Sequence, residues 1–104
     1  MMEVYKIVRD LNGFYKTLFH GVNRSRILQT GKWLKAEKRM SCDGSGGRPY
    51  LTGFHVFKDA GKAEAYCYRF SNTQHITVIR CLARGLRQKP TNKDVFLADE
   101  IFIP

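Results

Sequence analysis

No stretch of this sequence approaches the roughly 18 consecutive apolar residues that a membrane-spanning helix requires. Its first ten residues, MMEVYKIVRD, lack the basic start and apolar run of a secretory signal. Acidic residues are scarce, with 9 Asp and Glu facing 18 Lys and Arg for a formal charge of +9. Cysteines number three, an odd count that excludes a fully paired disulfide framework and suits a reducing compartment. These absences together lead to the expectation of a cytoplasmic protein with free thiols.

The spacings that carry metal or nucleophile chemistry are missing as well. Neither Cys42, Cys67 and Cys81 nor His20, His55 and His75 fall into the C-x₂₋₄-C or H-x₃₋₅-H patterns of a structural zinc site. There is no G-x-S-x-G elbow, and Gly44-Ser45-Gly46-Gly47 precedes a strand instead of opening a helix, which makes it a poor phosphate loop. Asp99 and Glu100 are adjacent, so on a strand they point to opposite faces and cannot pair as general acid and base. From the residues alone, no metal and no cofactor are expected.

What is present suffices for one folded domain spanning residues 1–104. Apolar residues make up 43% and aromatics 12%, which excludes a disordered basic tail. A chain of this length buries about two-thirds of its surface, enough for a core without a staple. Residues 3–9 (EVYKIVR) and 14–20 (FYKTLFH) flank Asn12-Gly13, the strongest short-range hairpin signal. Asn23 is placed to cap a short helix ending at Gly31, and residues 31–40 (GKWLKAEKRM) put Trp33, Ala36 or Glu37, and Met40 at helical spacing, with a strand as the alternative.

Residues 41–48 read as a loop, and residues 50–57 (YLTGFHVF) as a strand in which Gly53 permits a bulge or a close backbone approach. Asp59 is placed to cap a helix whose stripe is Ala63, Tyr66 and Phe70. Residues 76–83 (ITVIRCLA) form the clearest buried strand, and a turn at Pro90-Thr91-Asn92 precedes a strand over residues 94–103, bent at Asp99-Glu100. The order predicts an α+β fold: a small, mainly antiparallel sheet opening with a β-hairpin, with one or two short helices packed on it.

The positive charge falls in two blocks. Arg24, Arg26, Lys32, Lys35, Lys38 and Arg39 meet one acid, Glu37; Arg80, Arg84, Arg87, Lys89 and Lys93 meet none. Blocks that fold together steer polyanions and make binding salt-dependent. Exposed Trp33, Tyr50 and Tyr68 would add base stacking. Expected phosphate contacts are Arg24, Arg26, Lys35, Arg39, Arg84, Arg87 and Lys89, with guanidinium forks supplying geometry. Arg80 is set aside because it falls within the buried-looking strand, where it would pair with an acid. The alternative for both blocks is a solvated face or the docking surface for an acidic protein.

Two resemblances bear on function. The stretches TLFHGVNRSRIL, YLTGFHVF, KAEAYCY and ADEIFI resemble the ADP-ribosyltransferase superfamily and the RNA 2′-phosphotransferases that share its fold. That resemblance implies an enzyme holding NAD or an RNA end. His20 and Gly21 would hold the nicotinamide amide and ribose, Tyr66 or Tyr68 would stack on nicotinamide, and Glu100 would orient a ribose hydroxyl. The overall layout of YKIVR, TGKWLKAE, TGFHVF and LADEIFI is similar to small tailed-phage and prophage accessory proteins, which implies a viral protein in the bacterial cytoplasm and a host or defence complex as partner.

Three readings follow. The leading one is a binding module for nucleic acid or a nucleic-acid-handling host complex. The second is an ADP-ribosyltransferase-like enzyme, and the third an inhibitor seated in an acidic groove of a host protein.

Overall fold

The computed structural model describes residues 1–17, 26–37, 40–41, 49–69 and 75–104. Three long strands carry the architecture. β1 (Met2–Leu11) turns at Asn12 and Gly13, both at positive φ (54° and 92°), into β2 (Phe14–Lys16). Short strands β3 (Ile27–Leu28), β4 (Trp33–Lys35), β5 (Met40–Ser41), β6 (Tyr50–Leu51) and β7 (Phe54–Val56) follow. After helix α1 (Ala60–Cys67) come β8 (Ile76–Lys89) and β9 (Asn92–Phe102), joined by a turn at Pro90 and Thr91.

The strands form an antiparallel sheet in the order β3-β2-β1-β8-β9-β4, with β7 also paired to β9; β5 and β6 pair apart from it. β7 closes the sheet. Its Phe54, His55 and Val56 oppose Ala98, Leu97 and Phe96 of β9, and the next residue, Phe57, exchanges two backbone hydrogen bonds of 2.7 Å with Tyr5 of β1. The circuit β1-β8-β9-β7 therefore returns to β1. Near the other end, the Arg26 guanidinium donates to the carbonyl of Lys35 and spans the gap between β3 and β4.

This is a mostly-β, nearly closed barrel-like sheet with one short helix, and it corrects the expected α+β fold. Residues 31–40, whose spacing allowed a helix, contribute β4 and the start of β5. Trp33, Leu34 and Lys35 alternate half-buried, buried and exposed, the period of a strand whose neighbour β9 decides the outcome. Residues 76–83 form only the first part of β8, which continues through the basic residues to Lys89. The expected cap Asn23 and the helix residue Phe70 lie outside the described residues.

Two apolar clusters sit on opposite faces of the sheet. One gathers Val4, Val8, Leu28, Leu34, Phe54, Val56, Cys81, Ala83, Ala98 and Ile101 inside the barrel. The other, Ile7, Phe57, Ala63 and Val95, lies beneath α1. Ile7 falls between Lys6 and Val8 on β1, so the two-residue period sends it to the helix side. Asp59 caps α1 by accepting from the Lys62 amide at 3.1 Å.

The inside-outside alternation changes phase where β8 and β9 bend together. Ala83 and Leu86 both face the first cluster, as do Ala98 and Ile101. Gly85, at φ +67°, lies at the bend, and a Cβ there would overlap the Asp99 carboxylate. Gly53 has a related role, since a Cβ on it would stand 2.7 Å from the Ala98 carbonyl oxygen; β7 reaches β9 by close backbone approach.

Candidate nucleic-acid interface

Cross-strand neighbours lie on one face of a sheet, so the register of β4, β9, β8 and β1 assembles a site without further assumption. Trp33 opposes Phe102, Phe102 opposes Leu82, and Leu82 opposes Glu3. One row along, Lys35 opposes Glu100, and Glu100 opposes Arg84. The face thus carries an apolar row of half-buried Trp33, Phe102 and Leu82 beside a charged row of Lys35, Glu100 and Arg84. Arg80, two residues before Leu82 on β8, flanks it from the other side and is two-thirds exposed.

The rows are held by direct contacts. Arg84 reaches diagonally across β9, its guanidinium carbon 3.6 Å from the centroid of the Trp33 ring. Glu100 pins it there by accepting from Nη2 at 3.3 Å. The Phe102 ring packs against Trp33 at 5.6 Å between centroids, tilted by 49°. Arg80 makes a looser ion pair with Glu3 at 3.8 Å, both side chains at least half exposed. Exposed pairs of this kind hold little energy, about 0–1 kcal/mol, so Arg80 remains available to an anion.

The expected phosphate contacts separate into three groups. Lys35 and Arg84 stand on this face. Arg26, Arg87 and Lys89 are engaged within the fold. The Arg26 guanidinium bonds the Lys35 carbonyl and lies 5.4 Å from the centroid of the Phe54 ring. Arg87 pairs with Asp99 and donates to the carbonyls of Thr52, at 2.6 Å, and Leu51, at 3.2 Å, tying β6 and the segment before β7 to the bend of β8 and β9. Lys89 covers the ring of Tyr50, its Nζ 5.8 Å from the centroid. Arg24 and Arg39 lie outside the described residues.

Of the stacking candidates, Trp33 is on the face, whereas Tyr50 is 7% exposed and packs as a core residue. Tyr68 is 86% exposed but stands at the C-terminal cap of α1. Of the enzymatic trio, two members are described. His20 lies outside the described residues. Tyr66 packs on Phe57 with Arg69 over its ring, in the cluster that includes Val78. Glu100 opposes Arg84, six residues farther along β8 and so roughly 20 Å away.

Sequence reasoning missed Phe102 and Leu82, and it set Arg80 aside for pairing with an acid, which Arg80 does with Glu3 while staying two-thirds exposed. The signal was the alternation Arg80-Leu82-Arg84 and Glu100-Phe102, legible once β8 is continued past Ala83. Elsewhere, an open depression is lined by Asp10, Asn12, Gly13, His75, Ile76 and Thr77, but the Asp10 carboxylate accepts from the Gly13 amide at 3.2 Å as part of the hairpin turn. Among the described residues no group of three or more His, Cys, Asp and Glu side chains gathers to hold a metal, and no helix is long and apolar enough to cross a membrane.

The thiols are described in part. Cys81 is fully buried, and burial pushes its pKa up to about 11; Cys67 is half-buried and shifted in the same direction by desolvation and then by Glu64. Both therefore stay protonated and weakly nucleophilic near neutral pH. No family model matches the chain, and no curated protein or solved structure matches it significantly.

Proposed function

We propose that this chain is a nucleic-acid-binding module that engages its ligand through the outer face of β4, β9 and β8. The observation that carries the reading is the Trp33-Phe102-Leu82 row bordered by Lys35, Arg84 and Arg80 on one continuous sheet surface. Aromatic rings give bases a stacking surface, and the flanking cations Lys35 and Arg80 attract the backbone. The net charge of +9 adds long-range steering toward a polyanion. The layout shared with phage and prophage accessory proteins is compatible with meeting that nucleic acid within a host nucleoprotein complex.

The chain contains a single tryptophan, Trp33, and it lies on this face, so its fluorescence reports directly on occupancy. Labelled DNA and RNA oligonucleotides are titrated by anisotropy between about 50 and 300 mM salt while Trp33 emission is recorded. Binding is expected to quench Trp33 and to weaken linearly on a log–log salt plot. A Lys35→Glu, Arg80→Glu double variant should bind more weakly and with a shallower slope, because each lost phosphate contact removes roughly 0.7–0.9 from it. Binding that leaves Trp33 emission unchanged, or no binding at the lowest salt, refutes the assignment of this face.

A further inference from the structure

The arrangement of Arg84 identifies the form of nucleic acid that fits. Resting on the reading above, we propose that the ligand is single-stranded and that one unpaired base stacks on the outer side of the Arg84 guanidinium, extending the Trp33-Arg84 stack. Trp33 lies beneath the guanidinium plane at 3.6 Å, and Glu100 fixes its edge at 3.3 Å. The Arg84 side chain nevertheless keeps 48% of its surface exposed. Its edge is committed to Glu100 and one side to the indole, so the exposed remainder is what a ligand meets. A planar cation held flat in this way is a stacking partner for a base.

The charge balance points the same way. Glu100 offsets Arg84, so this side chain adds little net positive potential for a phosphate. Its usable property is the plane. Phosphate contact falls instead to Lys35, directly opposite Glu100 on β4, and to Arg80, four residues before Arg84 and so about 13 Å along β8. A duplex keeps its base faces stacked inside and offers phosphates and groove edges, which a stacking plane on the surface of a sheet does not read. Unpaired bases present the π-face the platform requires.

Arg84→Lys separates plane from charge, since lysine keeps the cation and lacks the planar fork. The experiment compares a 12-nucleotide single strand with a duplex of the same sequence, using wild type and R84K, with Trp33 emission and anisotropy read together. Wild type should prefer the single strand by at least tenfold. R84K should lose about 5- to 150-fold on the single strand, the range of one base stack, and clearly less on the duplex, because the charge is kept. The circular dichroism of R84K verifies that the sheet is retained.

Equal or tighter duplex binding overturns the proposal, as does an R84K variant indistinguishable from wild type. In either case, Trp33 quenching and sensitivity to K35E/R80E would leave the wider nucleic-acid reading standing. If neither nucleic acid binds and poly-glutamate quenches Trp33 instead, both readings fall in favour of an acidic polypeptide.

Discussion

Lys6 is the most informative residue to perturb, because a cation is buried inside the barrel wall. It lies between Val4 and Val8 on the inward-facing side of β1 and is 5% exposed. Its ammonium donates to the His55 carbonyl at 3.0 Å and stands 5.6 Å from the centroid of the Phe54 ring. Among the described residues, the other charged or titratable groups facing it are the Cys81 thiol on β8 and the Arg26 guanidinium at the same Phe54 ring. Burial lowers the Lys6 pKa from 10.5 to about 8, against a smaller opposing influence of Cys81.

The sign follows from proton counting. Below pH 8 both folded and unfolded chains carry the charge, and the folded state bears the full desolvation cost. Between about 8 and 10.5 the folded state releases its proton while the unfolded state retains it, so stability rises with pH. The shift of about 2.5 pK units corresponds to about 3 kcal/mol. Cys81 acts in the opposite sense. Its thiol is raised from 9.0 to about 11, so the unfolded chain loses that proton first and stability falls between about pH 9 and 11 by about 3 kcal/mol. Cys67, shifted in the same direction, adds to the fall.

Urea unfolding from pH 6 to 11 should therefore show stability rising by about 1 kcal/mol between pH 7 and 9, levelling above 9 and declining above 10.5. Lys6→Met removes the rising limb. It should stabilise the protein by about 2 kcal/mol at pH 7, the relieved desolvation less about 1 kcal/mol for the lost hydrogen bond. A wild-type profile that is flat from pH 7 to 9, or a K6M variant less stable than wild type at pH 7, would refute the reasoning.

Gly85→Ala should destabilise by about 2–4 kcal/mol in urea unfolding, because φ is +67° and the new methyl overlaps the Asp99 carboxylate. Adding Asp99→Ala should make the combined loss smaller than the sum of the single losses, whereas strict additivity would show that the overlap is not the cause. Arg87→Met should cost about 2 kcal/mol by thermal or urea unfolding, since it removes the hydrogen bonds that tie Asp99 to the carbonyls of Leu51 and Thr52 through one guanidinium. Its affinity for oligonucleotide at a temperature where it is folded should match wild type, and a selective loss of binding would return Arg87 to the interface.

Several features of this protein were decided by local sequence. Asn12-Gly13 sets the β1-β2 turn because that dipeptide accepts positive φ at both central positions. Asp59 starts α1 through its own side chain. The excess of basic over acidic residues, and its concentration in two blocks, needs no fold to be read. What local pattern did not decide was the state of short segments. Residues 31–40 satisfy a helical spacing and a strand alternation about equally, and the open edge of β9 selects the strand by offering backbone partners to Trp33, Leu34 and Lys35.

Tertiary structure also sorted the cations. Arg84 and Arg87 are three residues apart and chemically identical, but they lie on either side of the bend at Gly85. One stacks on Trp33 at the surface, while the other is drawn into the junction of Asp99 with the Leu51 and Thr52 carbonyls. Net charge and hairpin chemistry are properties of residues and their immediate neighbours, so sequence alone determines them. Which arginine reaches solvent depends on strand register and on the phase shift at a bend. Those arise only when segments distant in the chain pair with one another, and that pairing brings Trp33, Arg84 and Glu100 onto one face.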